Sequence, residues 1–246
     1  MRIYRVYCTF SLLQPEIVLN KETSHHLANV LRCQIGDICH VFDGCGNEVK
    51  AKISAINKSQ IILHTLEIVK NETESCLKIH LFQALCKGDK MDVIIQKAVE
   101  LGVAEITPLL TERCDVKLTG DRLEKKMTHW RNIIINATEQ SGRAVLPRLH
   151  YPFSFDESIQ SQAQNLRLLF TPHTNHRISQ VGIDPVLAQQ TIAIFIGPEG
   201  GFSELEESRA FNQGVYAAVL GKRILRTETA SLAIITSLQT LWGDFS

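Results

Sequence analysis

The chain has 246 residues, 44% of them hydrophobic, which is enough for one large or two smaller domains with a full core. Its 26 basic and 26 acidic residues cancel, so bulk charge carries no nucleic-acid signal and any such signal must be local. Seven cysteines, an odd number with no Cys-x-x-Cys, read as reduced, mostly buried thiols in a cytosolic protein and argue against a zinc site.

In chain order, Met1 to Leu13 carries Arg2 and Arg5 but is too short and mixed for a signal peptide, and the longest apolar runs are interrupted before a membrane span can form. Ser24 can cap a short helix running through Arg32. Ile38 to Phe42 reads as a strand, Asp43-Gly44-Cys45-Gly46-Asn47 as a turn, and Val49 to Ile56 and Gln60 to Ile68 as strands with partial alternation. A small β-barrel with one helix fits this stretch. The polar run Lys70 to Ser75 is a natural linker.

From Leu77 strands and helices alternate. Strands are expected at Leu77 to Leu85, Ala104 to Leu110, Leu166 to Phe170, Thr191 to Ile196 and Val215 to Leu220. Helices are expected at Asp89 to Leu101, at Asp121 to Gln140 with Trp130, Ile133, Ile134 and Ala137 on its apolar face, and at Thr227 to Trp242. A further helix opens at the capping box Ser203/Glu206 and ends at Gly214. The alternation argues for a mainly parallel sheet covered on both faces. Between Arg113 and Arg148 there are eight basic residues against four acidic ones, either a local phosphate-binding face or a solvated helix face.

Two glycine-bearing segments carry the chemistry. One is Ile196-Gly197-Pro198-Glu199-Gly200-Gly201-Phe202-Ser203; the other is Leu220-Gly221-Lys222-Arg223-Ile224-Leu225-Arg226-Thr227-Glu228-Thr229-Ala230. Each closes a strand-like run and opens a helix-like one, the place where open α/β sheets bind ligands. Gly197, Gly200, Gly201 and Gly221 let backbone polar groups approach a ligand. No Gly-x-Gly-x-x-Gly and no Gly-x4-Gly-Lys occurs, so an adenine or ribose edge suits these loops better than a phosphate chain. His25-His26 and His173-x-x-His176 lack carboxylate or cysteine partners nearby in sequence, so no metal site is expected.

These segments resemble the SPOUT-class methyltransferases, and within them the 16S ribosomal RNA uridine N3-methyltransferase family. The resemblance extends to Lys87-Gly88-Asp89-Lys90-Met91-Asp92, to Gln96 through Val103, to Ala137 through Arg143, and to His26 through Arg32 with Gly36-Asp37 and Phe42-Asp43-Gly44. Those blocks span nearly the whole chain in the family's order. Lys222 departs from the proline many members have there, which is expected to alter the loop slightly and leave the binding mode intact.

The resemblance implies an α/β protein with an N-terminal PUA-like β-barrel, an RNA-binding module, over residues 1–72. It implies a C-terminal SPOUT-type α/β trefoil-knot methyltransferase domain over residues 73–246. Periodicity alone does not yield the knot. The donor it implies is S-adenosyl-L-methionine, and the acceptor is N3 of a uridine in 16S rRNA of the small ribosomal subunit. It implies a homodimer, located in the cytoplasm.

Expected cofactor-loop residues are Ile196, Gly197, Pro198, Glu199, Gly200, Gly201, Leu220, Gly221, Ile224, Leu225, Arg226, Thr229 and Ala230, with Thr171-Pro172 as a third loop. Arg226 is the expected catalytic cation, able to pair with uracil carbonyls and favour the N3 anion; the alternative is a helix-start arginine bonded to nearby carbonyls. Glu199 is the other catalytic candidate, either accepting a proton or ordering its own loop. Arg2, Arg5, Arg32, Lys87, Glu139, Arg143 and Arg148 are candidate RNA contacts, with a buried cap or ion pair as the alternative for Glu139. Two other readings stand beside this one: a related enzyme on another RNA such as tRNA, and a non-catalytic RNA-binding or assembly factor. The intact Gly197–Gly201 and Gly221–Ala230 segments argue against the last.

Overall fold

The computed structural model describes residues 4–9, 14–57, 60–116, 118–160, 166–181 and 191–245. It divides into two units: Met1–Glu74 with Thr138–Leu146, and Ser75–Ala137 with Pro147–Ser246.

The first unit is a five-stranded sheet. Its strands are β1 (Tyr4–Tyr7), β2 (Glu16–Val18), β3 (Ile38–Phe42), β4 (Glu48–Ile56) and β5 (Ile61–Val69), in the order β1-β3-β4-β5-β2. β1 and β3 run parallel; the other neighbours are antiparallel. Val41, Val49, Ala51, Ile53 and Leu63 face one core with Leu19 and Leu27.

Helix α1 (Lys21–His25) runs into a π-helical turn, His26–Val30. Its cap is Asn20, whose carboxamide accepts the Thr23 N–H at 2.8 Å; the expected cap, Ser24, lies inside the helix. Ser24 is buried one turn before Leu27, and its hydroxyl accepts the Ile61 N–H at 3.0 Å. The need to point Leu27 at the core sets the helix phase, and the start shifts to the nearest residue able to cap.

Charge is also buried here. Glu48, 1% exposed, accepts from Arg5 Nη1 at 2.7 Å, His40 Nδ1 at 2.6 Å and Asn71 Nδ2 at 2.7 Å. Burial works to raise its carboxyl pKa, but the three bonds outweigh it and hold the group below the usual carboxylate range. Arg143, 4% exposed, is bonded to Glu74 at 2.7 Å, which ties residues 138–146 into this unit.

The second unit is built on parallel strands: β6 (Lys78–Ala84), β7 (Glu105–Leu110), β8 (Arg148–Leu149), β9 (Phe153–Ser154), β10 (Leu166–Phe170), β11 (Thr191–Ile196) and β12 (Tyr216–Ala218). Their order is β12-β10-β11-β6-β7-β8, with β9 also beside β7. β6 and β11 are buried along almost their full length, as central parallel strands must be, and Phe82 stacks on Phe195 at 4.6 Å between centroids. Among the helices are α2 (Lys90–Glu100), α3 (Gly120–Ser141), α4 (Phe155–Gln160), α5 (Glu204–Asn212) and α6 (Thr227–Trp242). α2 buries Met91, Ile94, Ile95, Ala98 and Val99, and packs on α6. Because β10, β11 and β12 are parallel neighbours, their carboxyl ends bring Thr171, Gly197 and Val219 to one edge of the sheet.

Candidate active site

At that edge lies a cleft of about 580 Å³, within the range of small-ligand sites. Its first wall is the loop after β11. Gly201 N–H closes a turn on the Pro198 carbonyl at 2.9 Å, and Gly201 itself adopts φ +68°. A Cβ on Gly197 would lie 3.2 Å from Gly201 C, Gly201 Cα and Phe202 N. The loop's own backbone therefore leaves little room for a side chain at Gly197, which also lines the cleft. Ser203 and Glu206 then cap α5 reciprocally.

The second wall is the loop from Val219 to Arg226. Arg226 (φ −63°, ψ 152°) is the N-cap of α6, and its guanidinium is solvent-facing with no ion-pair partner among the described residues. Ile224 is 85% exposed at the cleft. The third wall is Thr171 to His173. The Thr171 hydroxyl donates to Glu207 Oε1 at 2.6 Å, and His173 Nδ1 lies 3.2 Å from the same oxygen.

Every residue expected in the cofactor loops lines this cleft except Thr229. On α6 the lining positions are Thr227, Ala230 and Ile234, one helical face; Thr229 falls on another, in a shallow groove with Val93, Leu232 and Thr236. Sequence reasoning overlooked Lys90, Arg113, Phe170, His173, Phe202, Glu207, Arg223 and Thr227, which also line it. Thr227 had a signal, a polar residue at the start of an apolar helix; Glu207, one of several acids in the first turns of the polar helix α5, had none.

Two of the cleft's charges are already paired. Lys90 Nζ meets Glu199 Oε1 at 2.6 Å and Glu228 at 3.8 Å, and Arg113 donates to the Gly200 carbonyl at 2.9 Å. Burial tends to raise the Glu199 pKa, but the Lys90 bond and backbone N–H groups prevail and hold it below the usual range, leaving a weak base. Cys86, behind the cleft, is pushed up to about 11 by burial and stays a thiol.

The family model for an RNA methyltransferase domain matches residues 73–239, and that for an RNA methyltransferase PUA domain matches residues 19–66. The ribosomal RNA small subunit methyltransferase E of Buchnera aphidicola is 35% identical over 99% of this chain and 96% of its own length. The chain belongs to the ribosomal RNA small subunit methyltransferase E family. The Bacillus subtilis member is 31% identical over 94% of this chain and 93% of its own. The structure is similar to that of the Neisseria gonorrhoeae member bound to S-adenosyl methionine, with a TM-score of 0.92 and 36% identity over the whole of both chains. A Legionella pneumophila methyltransferase in complex with SAM gives 0.93 and 38%, again over both whole chains. The fold is thus the SPOUT-class α/β domain with an N-terminal PUA domain, as the resemblance implied.

Membership in this family sharpens the question of which basic residues could meet RNA, and several expected ones are committed elsewhere. Arg5 is bonded to Glu48 and to the Arg143 carbonyl at 2.9 Å, and lies over the Phe42 ring. Glu139 accepts the Tyr7 N–H at 2.9 Å, and its burial raises its pKa. Arg143 is buried on Glu74. These three hold the first unit together, because a guanidinium or carboxylate taken from water needs a partner. Lys87 is paired with Asp115 at 2.5 Å on the surface. Arg2 lies outside the described residues. Arg32, in a left-handed conformation (φ 54°), and Arg148 expose their side chains.

Arg143→Met is expected to destabilise the protein by about 3 kcal/mol, the cost of stranding one member of a buried ion pair. Urea unfolding checks this; an unchanged midpoint and slope would show that the pair contributes nothing.

Among the described residues one group could offer three ligands to a metal, His80, Glu105 and His150. It lies on β6, β7 and just past β8, not at the cleft, and its ring nitrogens already meet partners: His80 Nε2 with Thr107 Oγ1 at 2.8 Å, His150 Nε2 with Glu105 Oε2 at 2.6 Å. Burial pushes His80 down to about 4, helped by His150 and Arg148 and opposed by Glu105. Below its ordinary pKa the unfolded chain takes a proton that the folded protein refuses until about pH 4. Stability should therefore fall by about 3 kcal/mol as pH drops from 6.5 to 4, with no contribution above that window. His80→Gln should flatten the acid limb; urea unfolding at about pH 7 and about pH 4.5 measures it. An unaltered acid limb would assign the loss to other groups.

Proposed function

We infer that the protein is an S-adenosyl-L-methionine-dependent methyltransferase of small-subunit ribosomal RNA, acting on N3 of a uridine in 16S rRNA. The observation that carries this is the cleft at the carboxyl ends of β10, β11 and β12, with apolar walls and, at its rim, Arg226, which has no ion-pair partner among the described residues. Full-length similarity to proteins of that name supports the substrate class.

The residues present suit the cofactor. The loops Ile196–Gly201 and Leu220–Leu225, with Thr171, Pro172 and Ala230, offer backbone polar groups and apolar side chains at nucleoside scale, and Glu207 offers a carboxylate for a cationic group. When bound, S-adenosylmethionine supplies a methyl carbon already made electrophilic by its sulfonium. The rest of the task falls to the protein. Uridine N3 carries a proton, so its lone pair becomes available only as an anion forms. Arg226 lowers that cost by placing a fixed positive charge beside the uracil carbonyls. Glu199, ionised and tied to Lys90, orders its loop; the N3 proton passes to solvent. A base pair hides N3, so the target uridine is unpaired or flipped out. Arg32 and Arg148 contact rRNA phosphates.

We also propose that the C-terminal chain is threaded as a trefoil knot, that two copies associate with their cofactor sites near the interface, and that the protein works in the cytoplasm. No helix among the described residues is long and apolar enough to cross a membrane. Radiolabelled methyl transfer to small subunits, large subunits and tRNA tests the substrate. Label confined to small subunits is expected; label confined to tRNA would move the chain to the runner-up reading.

A further inference from the structure

Gln83 is fully buried near the carboxyl end of β6, in a run that is otherwise apolar from Leu81 to Leu85. A buried carboxamide is costly unless each of its groups is bonded. Its Nε2 donates to Thr227 Oγ1 at 3.1 Å and to the Ala84 carbonyl at 3.1 Å. Its Oε1 accepts from the Ser231 hydroxyl at 2.5 Å, and Ser231 also lies 2.8 Å from the Thr227 carbonyl. The Thr227 hydroxyl donates to the Gly197 carbonyl at 2.8 Å.

Chemistry alone sets the direction of this chain. A backbone carbonyl only accepts, so the single Thr227 hydroxyl hydrogen goes to Gly197. The Thr227 oxygen must then accept from the Gln83 amide, which turns Gln83 Oε1 toward Ser231, and Ser231 must donate. In this arrangement both ends of the Gln83 carboxamide are bonded, with the Ser231 hydrogen shared between Gln83 Oε1 and the Thr227 carbonyl, and the network joins β6, the loop after β11 and the first turn of α6.

We propose that Gln83 is a positioning residue for methyl transfer. By fixing the Thr227 hydroxyl it locks the Gly197–Gly201 loop against the start of α6, and so sets the spacing between the cofactor loops and Arg226. This rests on the methyltransferase reading above. Gln83 itself is absent from the cleft lining and acts only through Thr227.

The test compares wild type with Gln83→Met, Thr227→Val, Thr227→Ser and the Gln83→Met/Thr227→Val double variant. S-adenosylmethionine affinity is measured by calorimetry, and amide exchange at Gly200, Gly201 and Phe202 is followed in the unliganded protein. Gln83→Met and Thr227→Val should each weaken binding by roughly tenfold or more and speed exchange in the loop, while Thr227→Ser, which keeps the hydroxyl, stays near wild type. The double variant should bind no more weakly than Thr227→Val, because the two residues act in series. Losses that multiply in the double variant would overturn the proposal. So would a Gln83→Met protein with a lowered melting temperature but wild-type affinity and loop exchange. If wild type binds no S-adenosylmethionine, the functional reading fails, and loop exchange still decides the role of Gln83.

Discussion

Arg226→Ala should lower the rate of methyl transfer by roughly 10²–10³-fold, the range for deleting one group that stabilises a developing anion. Cofactor affinity should stay within a few-fold of wild type. The contrast follows from where Arg226 sits. Its backbone is the N-cap of α6, and its carbonyl accepts the Ala230 N–H at 2.7 Å, a bond alanine keeps. Its side chain has no partner among the described residues, so removing it strands no buried group and opens no cavity. What is lost is a positive charge facing the cleft. Arg226→Lys should recover part of the rate, since an ammonium supplies charge without the flat fork that matches two uracil carbonyls. Single-turnover kinetics with saturating cofactor isolate the step. Normal turnover by Arg226→Ala would remove the residue from the mechanism.

Gly197→Ala should have the opposite profile: cofactor affinity lower by on the order of tenfold or more, with the melting temperature only modestly reduced. The new methyl would press at 3.2 Å on Gly201 and Phe202 backbone atoms, which cannot rotate away as a side-chain tip could. The turn closed by Gly201 N–H on Pro198 would have to shift by a few tenths of an ångström, which displaces the Gly197 carbonyl relative to the Thr227 hydroxyl. The surrounding core, Phe195 and Phe202 included, lies behind the loop and keeps its packing. Calorimetry beside thermal unfolding separates the two effects. Wild-type affinity would mean that the loop tolerates a side chain there.

Much of this was legible from local pattern. The buried parallel strands announced themselves as short apolar runs, and the capping box at Ser203/Glu206 placed α5. The two glycine segments named nearly all of the loop residues that share the cleft. What escaped was what local pattern does not encode. Thr229 depends on helix phase, and one residue's rotation took it off the lining face. The Lys90–Glu199 and Arg143–Glu74 pairs join residues far apart in sequence, so neither could be anticipated from composition or charge runs. Arg143 looked like a surface cation in a basic stretch; only tertiary structure shows it to be 4% exposed. Strands such as β8 and β9 are too short to leave a periodic signature.

The most direct test of the central claim uses small ribosomal subunits from a strain lacking this gene. They are incubated with the protein and S-adenosylmethionine, the RNA is digested, and modified nucleosides are identified by mass spectrometry. Appearance of 3-methyluridine, dependent on the protein and absent with Arg226→Ala, is the expected result. No new methylated nucleoside, from a protein that binds the cofactor, would contradict the assignment of small-subunit rRNA as substrate.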